Sequence, residues 1–286
     1  MTLYDICWYF ILYSFIGWII EVVFHAVKLG KIMNRGFLNG PVCPVYGFGM
    51  VAVLSVYNSI GIDNIVVIFI EGIILTTTIE LLAGFILDKA FHARWWNYSN
   101  VPLNLNGYIC LRFSIIWGVA VAFVLKLFNP TLYAFTINLI KPRIGWPILA
   151  FLITTFIVDT VVTALTLIGL NKQLTELDNI SKSLHTVSDK LTQDIGEGSI
   201  NAAQKIQTAQ IKYNLAKAEL KQDIEESEIE VRNQLLKRSN EIKRKITSNK
   251  HFGSGRLINV FPNATHNQHS EFFEELKARI HNDKQN

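Results

Sequence analysis

Ionisable side chains inside long apolar segments are the residues of this chain best placed to do chemistry. Glu21 and His25 are four residues apart and share one face of a predicted helix, where a carboxylate beside an imidazole could relay protons. A simple pair at the membrane interface is the alternative. Glu80 and Asp159 lie in later apolar segments. Because an ionisable group costs at least ~2.5 kcal/mol at the bilayer centre, all four are candidates for a solute or proton pathway.

The stretch from Asn34 to Gly49 is rich in residues that interrupt regular structure. It contains four glycines, two prolines, two asparagines and Arg35, and it lies between two apolar segments. Glycine and proline at this density keep backbone groups out of regular ladders. At membrane depth, irregular backbone persists only where protein or a water-filled cavity shelters it from lipid. The stretch therefore predicts an organised site in an integral membrane protein.

The apolar segments indicate an all-α, polytopic bundle of about five membrane-spanning helices, because a span needs ~20 mostly apolar residues. The predicted spans are residues 8–27, 42–60, 65–87, 109–128 and 146–170. The second begins inside the Gly/Pro stretch and is the least regular. A re-entrant segment at residues 42–60 is the alternative to a full span.

Lysine and arginine in the short connections predict the orientation of the bundle. They are concentrated at residues 28–41 and 88–108 and are absent from residues 58–64 and from the N-terminus. Since cytoplasmic loops are enriched in these residues, we expect an extracytoplasmic N-terminus in a multi-pass protein of the cell membrane. Lys141 and Arg143 in the fourth connection oppose this assignment. Five spans would then place the C-terminal region in the cytoplasm.

The chain divides by charge into an apolar unit, residues 1–170, and a charged remainder. Leu177 to Leu191 shows coiled-coil spacing, and Gly196–Ser199 is predicted to break that helix before a weaker apolar seam. Residues 171–250 are therefore expected to form a helical hairpin or a coil through which the chain could form homo-oligomers. Residues 251–286 are expected to be loosely ordered apart from a short helix at about 270–280.

Composition and motifs exclude several functions. A net charge of +4 without basic runs interleaved with aromatics gives no reason to expect nucleic acid as a partner. The three cysteines are scattered without metal-ligand spacing, and the phosphate-binding, metalloprotease and nucleophile-elbow motifs are absent. The sequence thus predicts no cofactor and no metal site, and it points away from an enzyme.

Several motifs together resemble the family of bacterial membrane proteins called putative ABC-transporter type IV. They are Gly17-Trp18 with Glu21, Asn34–Leu38, Gly40–Gly49, Trp95–Ser99, Asn104, Gly107–Leu111, Trp117-Gly118 and Phe261–Asn263. One departure is Asn97, where members of the family usually carry Asp. The resemblance implies a permease that works with a separate ATP-binding subunit.

On the predicted topology, the two motif-rich connections lie on one side of the bilayer and form a polar vestibule. Its expected lining is Asn34, Arg35, Asn39, Tyr46, Trp96, Asn97 and Asn104. Tightly packed interfacial turns without a ligand are the alternative. The favoured function is transport of a polar or anionic solute. A membrane scaffold or regulator that recruits partners through its cytoplasmic helices is the second reading, and an intramembrane enzyme acting on lipids is the third.

Overall fold

The computed structural model describes residues 1–30, 32–61, 63–202, 210–249 and 252–282, and the fold is almost entirely helical. The helices are α1 Leu3–Leu29, α2 Pro44–Ile60, α3 Ile65–Phe91, α4 Leu111–Phe123, α5 Asn129–Leu139, α6 Pro142–Ala202, α7 Gln210–Thr247, α8 Gly253–Val260 and α9 Ser270–Asn282. A π-helical turn, Val124–Phe128, joins α4 to α5. The strands are two residues long: β1 Ala93–Arg94, β2 Asn104–Leu105, β3 Ile109–Cys110 and β4 Thr265–His266. β1 pairs antiparallel with β4, and β2 with β3.

Within the described residues, four helices are long and apolar enough to cross a membrane. The candidate spans are Leu3–Val27, Ile65–Phe91, Leu111–Ala134 and Pro142–Asp189. Large apolar side chains on these helices face outward, with Phe151 71% exposed. Such a surface suits lipid, and the predicted membrane bundle of α-helices is confirmed. α2 has 17 residues and is shorter than these four, so the expected fifth span is only a short apolar helix.

Small residues set the spacing between the packed helices. A Cβ on Gly72 would lie 2.8 Å from Val121, and one on Gly118 would lie 2.9 Å from the Phe69 carbonyl, so α3 and α4 approach closely at these two glycines. A Cβ on Gly17 in α1 would lie 2.3 Å from the ring of Tyr46. Small residues at helix contacts are the usual basis of close packing in membranes.

The connection before α2 folds back along α1. The amide of Cys43 donates to the Ser14 carbonyl at 2.9 Å, and Ser14 lies near the middle of α1. Residues 34–43, here called the Gly/Pro loop, therefore return along α1 by about 22 Å, given 1.5 Å per residue from Leu29. α2 starts at that level and runs back beside the first half of α1. Whether residues 42–60 cross or re-enter a membrane stays a prediction.

α6 is a continuous helix of 61 residues, and this overturns one prediction. The expected break at Gly196–Ser199 is wrong, because the helix continues to Ala202. Each glycine costs about 1 kcal/mol in a helix and permits a turn without forcing one. The predicted division at residue 170 also falls inside α6. Glu176 pairs with Arg238 of α7 at 2.6 Å, so α6 and α7 form an antiparallel helical hairpin, whose connection lies outside the described residues.

The residues after α7 fold back onto the bundle. The C-terminal segment, residues 252–282, contributes Leu257, Ile258 and Phe273 to a buried apolar cluster with Trp95 and Leu174. The helix expected at residues 270–280 is present as α9. The rest of the segment, expected to be loosely ordered, instead forms α8 and β4. The reason is that its few apolar residues find partners on the connection between α3 and α4, which is distant in sequence.

Candidate functional site

Glu21 lies on α1 between two partners that come from the next part of the chain. The Tyr46 hydroxyl donates to Glu21 Oε1 at 2.7 Å, and Arg35 Nε lies 3.2 Å from Oε2. Tyr46 reaches this position because Gly17, one turn before Glu21, leaves room for its ring. His25 is buried, at 3% exposed.

Glu80, in the middle of α3, forms the second half of the site. The Tyr98 hydroxyl donates to Glu80 Oε1 at 3.0 Å, and the Tyr98 ring stacks on Phe113 at 5.0 Å. Burial raises the pKa of the Tyr98 hydroxyl, as does the neighbouring Glu80 carboxylate, so Tyr98 remains a donor. The indole of Trp117 faces the same carboxylate. Oε2 of Glu80 is nevertheless buried without a hydrogen bond of normal geometry.

The two halves form one polar cluster inside the bundle. The rings of Tyr46 and Trp117 meet edge to face at 5.4 Å, and Tyr46 is within electrostatic reach of both carboxylates. Tyr98 also interacts electrostatically with both. We call this set the acid–tyrosine cluster, and its members are Glu21, Arg35, Tyr46, Glu80, Tyr98 and Trp117. With both acids ionised and one guanidinium it carries one net negative charge, which suits a proton, a cation or a hydrogen-bond donor.

Asp159 anchors the Gly/Pro loop to α6. Its Oδ1 accepts from the Asn39 amide at 3.1 Å and from Asn39 Nδ2 at 2.9 Å, and its Oδ2 accepts from the Gly40 amide at 2.7 Å. Asn34 closes the other end of the loop by accepting from Trp18 Nε1 at 2.7 Å and donating to the Asn39 carbonyl at 2.6 Å. Charged and amide side chains thus replace the backbone ladder that glycine and proline prevent.

The carbonyls of the same loop are held from the opposite side by Arg256 of α8. Its guanidinium donates to the carbonyls of Gly36 at 2.8 Å, Phe37 at 3.0 Å and Asn34 at 3.5 Å. Burial lowers the pKa of Arg256, and the charge of Asp159 opposes that shift. No residue-level signal singled out Arg256, although the Phe261–Asn263 motif five residues later marked its neighbourhood.

The second connection, residues 92–110, is braced internally. Asn97 Oδ1 accepts from the Ser99 amide at 2.9 Å, and Asn104 Oδ1 accepts from the Gly107 amide at 3.0 Å. Trp96 Nε1 donates to the Tyr108 carbonyl at 2.9 Å. These three predicted vestibule residues therefore shape the connection itself, and a ligand role for them stays a prediction.

The two connections do meet, as the sequence predicted, and their meeting point is apolar. The rings of Phe37 and Trp95 lie 5.5 Å apart, and Phe261 of the C-terminal segment is 5.5 Å from Trp95 on another side. Of the predicted vestibule, Arg35 and Tyr46 belong to the acid–tyrosine cluster, whereas Asn34 and Asn39 hold the loop. An open cleft of about 610 Å³ lies beside the second connection, lined in part by Lys89, Arg94, Asn104 and Asn106.

Among the residues that the structure describes, no three His, Cys, Asp or Glu side chains are grouped so as to hold a metal ion. Cys7, Cys43 and Cys110 are free thiols, and the last two are buried.

Comparison with known families decides where the chain belongs. A sequence model of the family described as putative ABC-transporter type IV matches residues 8–164, more than half of the 286 residues. The chain belongs to this family. No curated protein and no solved structure matches it.

The putative ABC-transporter type IV region contains every member of the acid–tyrosine cluster, together with Asp159 and both connections. Arg256 and the C-terminal segment lie beyond it. Asn97 accepts the turn hydrogen bonds that an aspartate at this position would also accept. The chain is therefore a membrane protein of the putative ABC-transporter type IV family, and the matched region contains one partly buried polar cluster.

Proposed function

We propose that this protein is the membrane component of a transporter that moves a polar solute, with a separate ATP-binding subunit supplying the energy. The observation that carries the proposal is the Glu80 carboxylate, which lies inside the bundle beside the Trp117 indole and whose Oε2 has no hydrogen bond of normal geometry. A buried carboxylate oxygen that lacks a well-formed hydrogen bond is costly. In a membrane bundle, such a group generally marks the path of a solute or ion.

The charges of the cluster narrow the class of solute. Arg35, which the sequence offered as a site for an anion, is paired with Glu21 at 3.2 Å. The remaining acceptor is the Glu80 carboxylate, with the hydroxyl of Tyr98 beside it. We therefore favour a neutral or cationic solute that donates hydrogen bonds.

The Gly/Pro loop is placed to act as the gate of this site. It enters the bundle from the end where the two connections meet and carries Arg35 to Glu21. We propose that this end faces the cytoplasm and the N-terminus lies outside, in keeping with the lysine and arginine distribution. Solute exchange would then require the loop to leave the contacts with Asp159 and Arg256.

Uptake into liposomes tests the proposal directly. The protein is reconstituted with a candidate ATP-binding subunit from the same organism, and a panel of labelled amino acids, polyamines, sugars and nucleosides is offered. Glu80→Gln should abolish ATP-dependent uptake of the transported solute, because the amide removes the acceptor charge. Glu241→Gln is the control, since it makes the same change at an exposed position on α7. Equal uptake by wild type and Glu80→Gln would reject the assigned site.

The length of α6 favours a second candidate function. A helix of 61 residues extends about 90 Å, roughly three times the hydrocarbon thickness of a bilayer. Its second half and α7 therefore project from the bundle as a hairpin that could recruit a partner. A scaffold of this kind would need the hairpin, whereas a transport core would need the acid–tyrosine cluster.

A further inference from the structure

Arg256 donates hydrogen bonds to backbone carbonyls on both sides of Arg35. It is 3% exposed, and its donors reach the carbonyls of Asn34, Gly36 and Phe37. The planar fork of a guanidinium donates to several carbonyls in one orientation while keeping its charge. The backbone that carries Arg35 is thus fixed by a residue more than 200 positions later in the chain.

The loop is held from both sides by opposite charges. Asp159 accepts from the amides of Asn39 and Gly40, while Arg256 donates to carbonyls two to six residues before them. Removing either charge leaves one set of polar backbone groups buried without partners. The position of Arg35 against Glu21 therefore depends on both α6 and α8.

The C-terminal segment delivers Arg256 to this place through contacts with the second connection. The Asn267 amide donates to the His92 carbonyl at 2.8 Å, and its side chain donates to Asp88. β4 adds the strand pairing of His266 with Ala93. One docked segment therefore touches both connections at once.

The contact between the C-terminal segment and the two connections also contains buried polar atoms without hydrogen-bond partners. They are Arg256 Nε, Trp95 Nε1 and Asn259 Oδ1. Each unpaired buried group opposes the apolar contacts that hold the segment in place. Apolar contacts therefore hold the C-terminal segment in place, while the unpaired groups would gain hydrogen bonds when the segment undocks.

We propose that Arg256 is a positioning residue of the acid–tyrosine cluster, through which docking of residues 252–282 seats the Gly/Pro loop and sets Arg35 against Glu21. Undocking of the segment frees the loop and leaves Glu21 without its counter-charge. The inference deepens the proposed function, since it names the control of the same gate, but its tests below require no transported solute.

The native thiol of Cys43 is buried at the end of the Gly/Pro loop, so its reactivity reports whether the loop is in its docked position. The full-length protein in detergent is pulsed with N-ethylmaleimide, and modification of each cysteine is quantified by peptide mass spectrometry. Arg256→Gln should raise the rate at Cys43 at least about tenfold, given the charged hydrogen bonds lost. Arg256→Lys should restore part of the protection. Arg279→Gln, an exposed arginine of α9, should behave as wild type.

Cys110 serves as the internal reference because it is buried on the second connection. Unchanged reactivity of Cys43 in Arg256→Gln would overturn the proposal. An equal rise at Cys43 and Cys110 would also overturn it, because it would show general loosening rather than release of the loop.

Hydrogen exchange on the wild-type protein gives a second test that needs no folded variant. If docking seats the loop, the amides of Asn39, Gly40 and Val42 should share one opening free energy with those of α8. Loop amides that exchange independently of α8 would refute the coupling.

Discussion

Asp159 is the residue on which the amide side of the Gly/Pro loop depends. Its two oxygens accept from the backbone of Asn39 and Gly40 and from the Asn39 side chain. In Asp159→Asn, an amide NH₂ would replace one of these acceptors and face a donor. Because a hydrogen bond to a charged group contributes about 1.5–3 kcal/mol, we expect a loss of about 2 kcal/mol in stability, measured by thermal unfolding in detergent.

The neighbouring Thr160 provides the control for this substitution. It is exposed, and its hydroxyl bonds only to the Phe156 carbonyl within α6. Thr160→Val should change the midpoint of thermal unfolding little. A drop in Asp159→Asn no larger than that in Thr160→Val would show that the loop does not rely on the carboxylate.

His266 should make docking of the C-terminal segment sensitive to acid. Its Nδ1 accepts from the amides of Gln268 and His269, and its Nε2 meets Asn171 Oδ1, an arrangement that requires a neutral ring. Burial, together with the charges of His269 and His92, lowers the pKa of His266 to about 4 from the ordinary 6.5. Asp178 lies near His269, at 3.7 Å.

The sign of the effect follows from these two pKa values. Between pH 6.5 and about 4 the undocked segment binds a proton that the docked one does not, so docking weakens as the pH falls through this range. Hydrogen exchange of α8 and α9, corrected for intrinsic rates, should show falling protection. His266→Gln should flatten the profile, and the exposed His185→Gln should leave it unchanged. The same profile in all three proteins would exclude His266 as the titrating group.

At the scale of helices, two glycines on α2 offer a matched pair. A Cβ on Gly47 would lie 2.2 Å from Ser14 Oγ and 2.6 Å from the Phe10 carbonyl, whereas one on Gly49 would meet nothing within 4 Å. Gly47→Ala should therefore push α2 from α1 and destabilise the bundle by about 1–3 kcal/mol. Gly49→Ala should be neutral or stabilising by up to about 1 kcal/mol. Thermal unfolding that ranks them in the opposite order would contradict this packing.

The long helices could be predicted because apolar length alone determines them. α1 and α3 contain the predicted spans at residues 8–27 and 65–87 almost without adjustment. The starting point of α2 could not be predicted, because it depends on a hydrogen bond between Cys43 and Ser14 that hydropathy does not encode. The continuity of α6 was missed since glycine lowers helix propensity without specifying a turn.

The sequence predicted most residues of the candidate site but did not predict how they pair. Glu21 and Glu80 stood out as charges in apolar segments, and Arg35 and Tyr46 as polar members of a Gly/Pro stretch. Their pairing depends on three-dimensional proximity of four elements, which no spacing in sequence reveals. Arg256 lies in a segment too short and polar to show a core of its own, so its role appears only once the chain has folded back.

At the scale of the whole molecule, α6 connects the intramembrane site to the hairpin. The same helix carries Asp159, Asn171, which donates to the Phe91 carbonyl, and Glu176, which pairs with Arg238 of α7. The lower part of the hairpin thus belongs to the folded core, since Leu174 and Leu177 are fully buried there. Removing everything after residue 171 would expose that core and would not separate transport from scaffolding.

A shortened hairpin makes the distinction cleanly. Residues 186–228 connect the two arms beyond the Glu176–Arg238 pair, and replacing them with a short Gly/Ser linker keeps the base and the C-terminal segment. If the acid–tyrosine cluster is the functional site, this protein should retain ATP-dependent uptake and wild-type protection of Cys43, because every described contact of that cluster lies outside the deleted residues. Arg256→Gln in the same background is the control that the assay still detects a released loop. If the shortened protein loses ATP-dependent uptake while Cys43 stays protected, the activity belongs to the projecting hairpin instead. That result would favour the scaffold function.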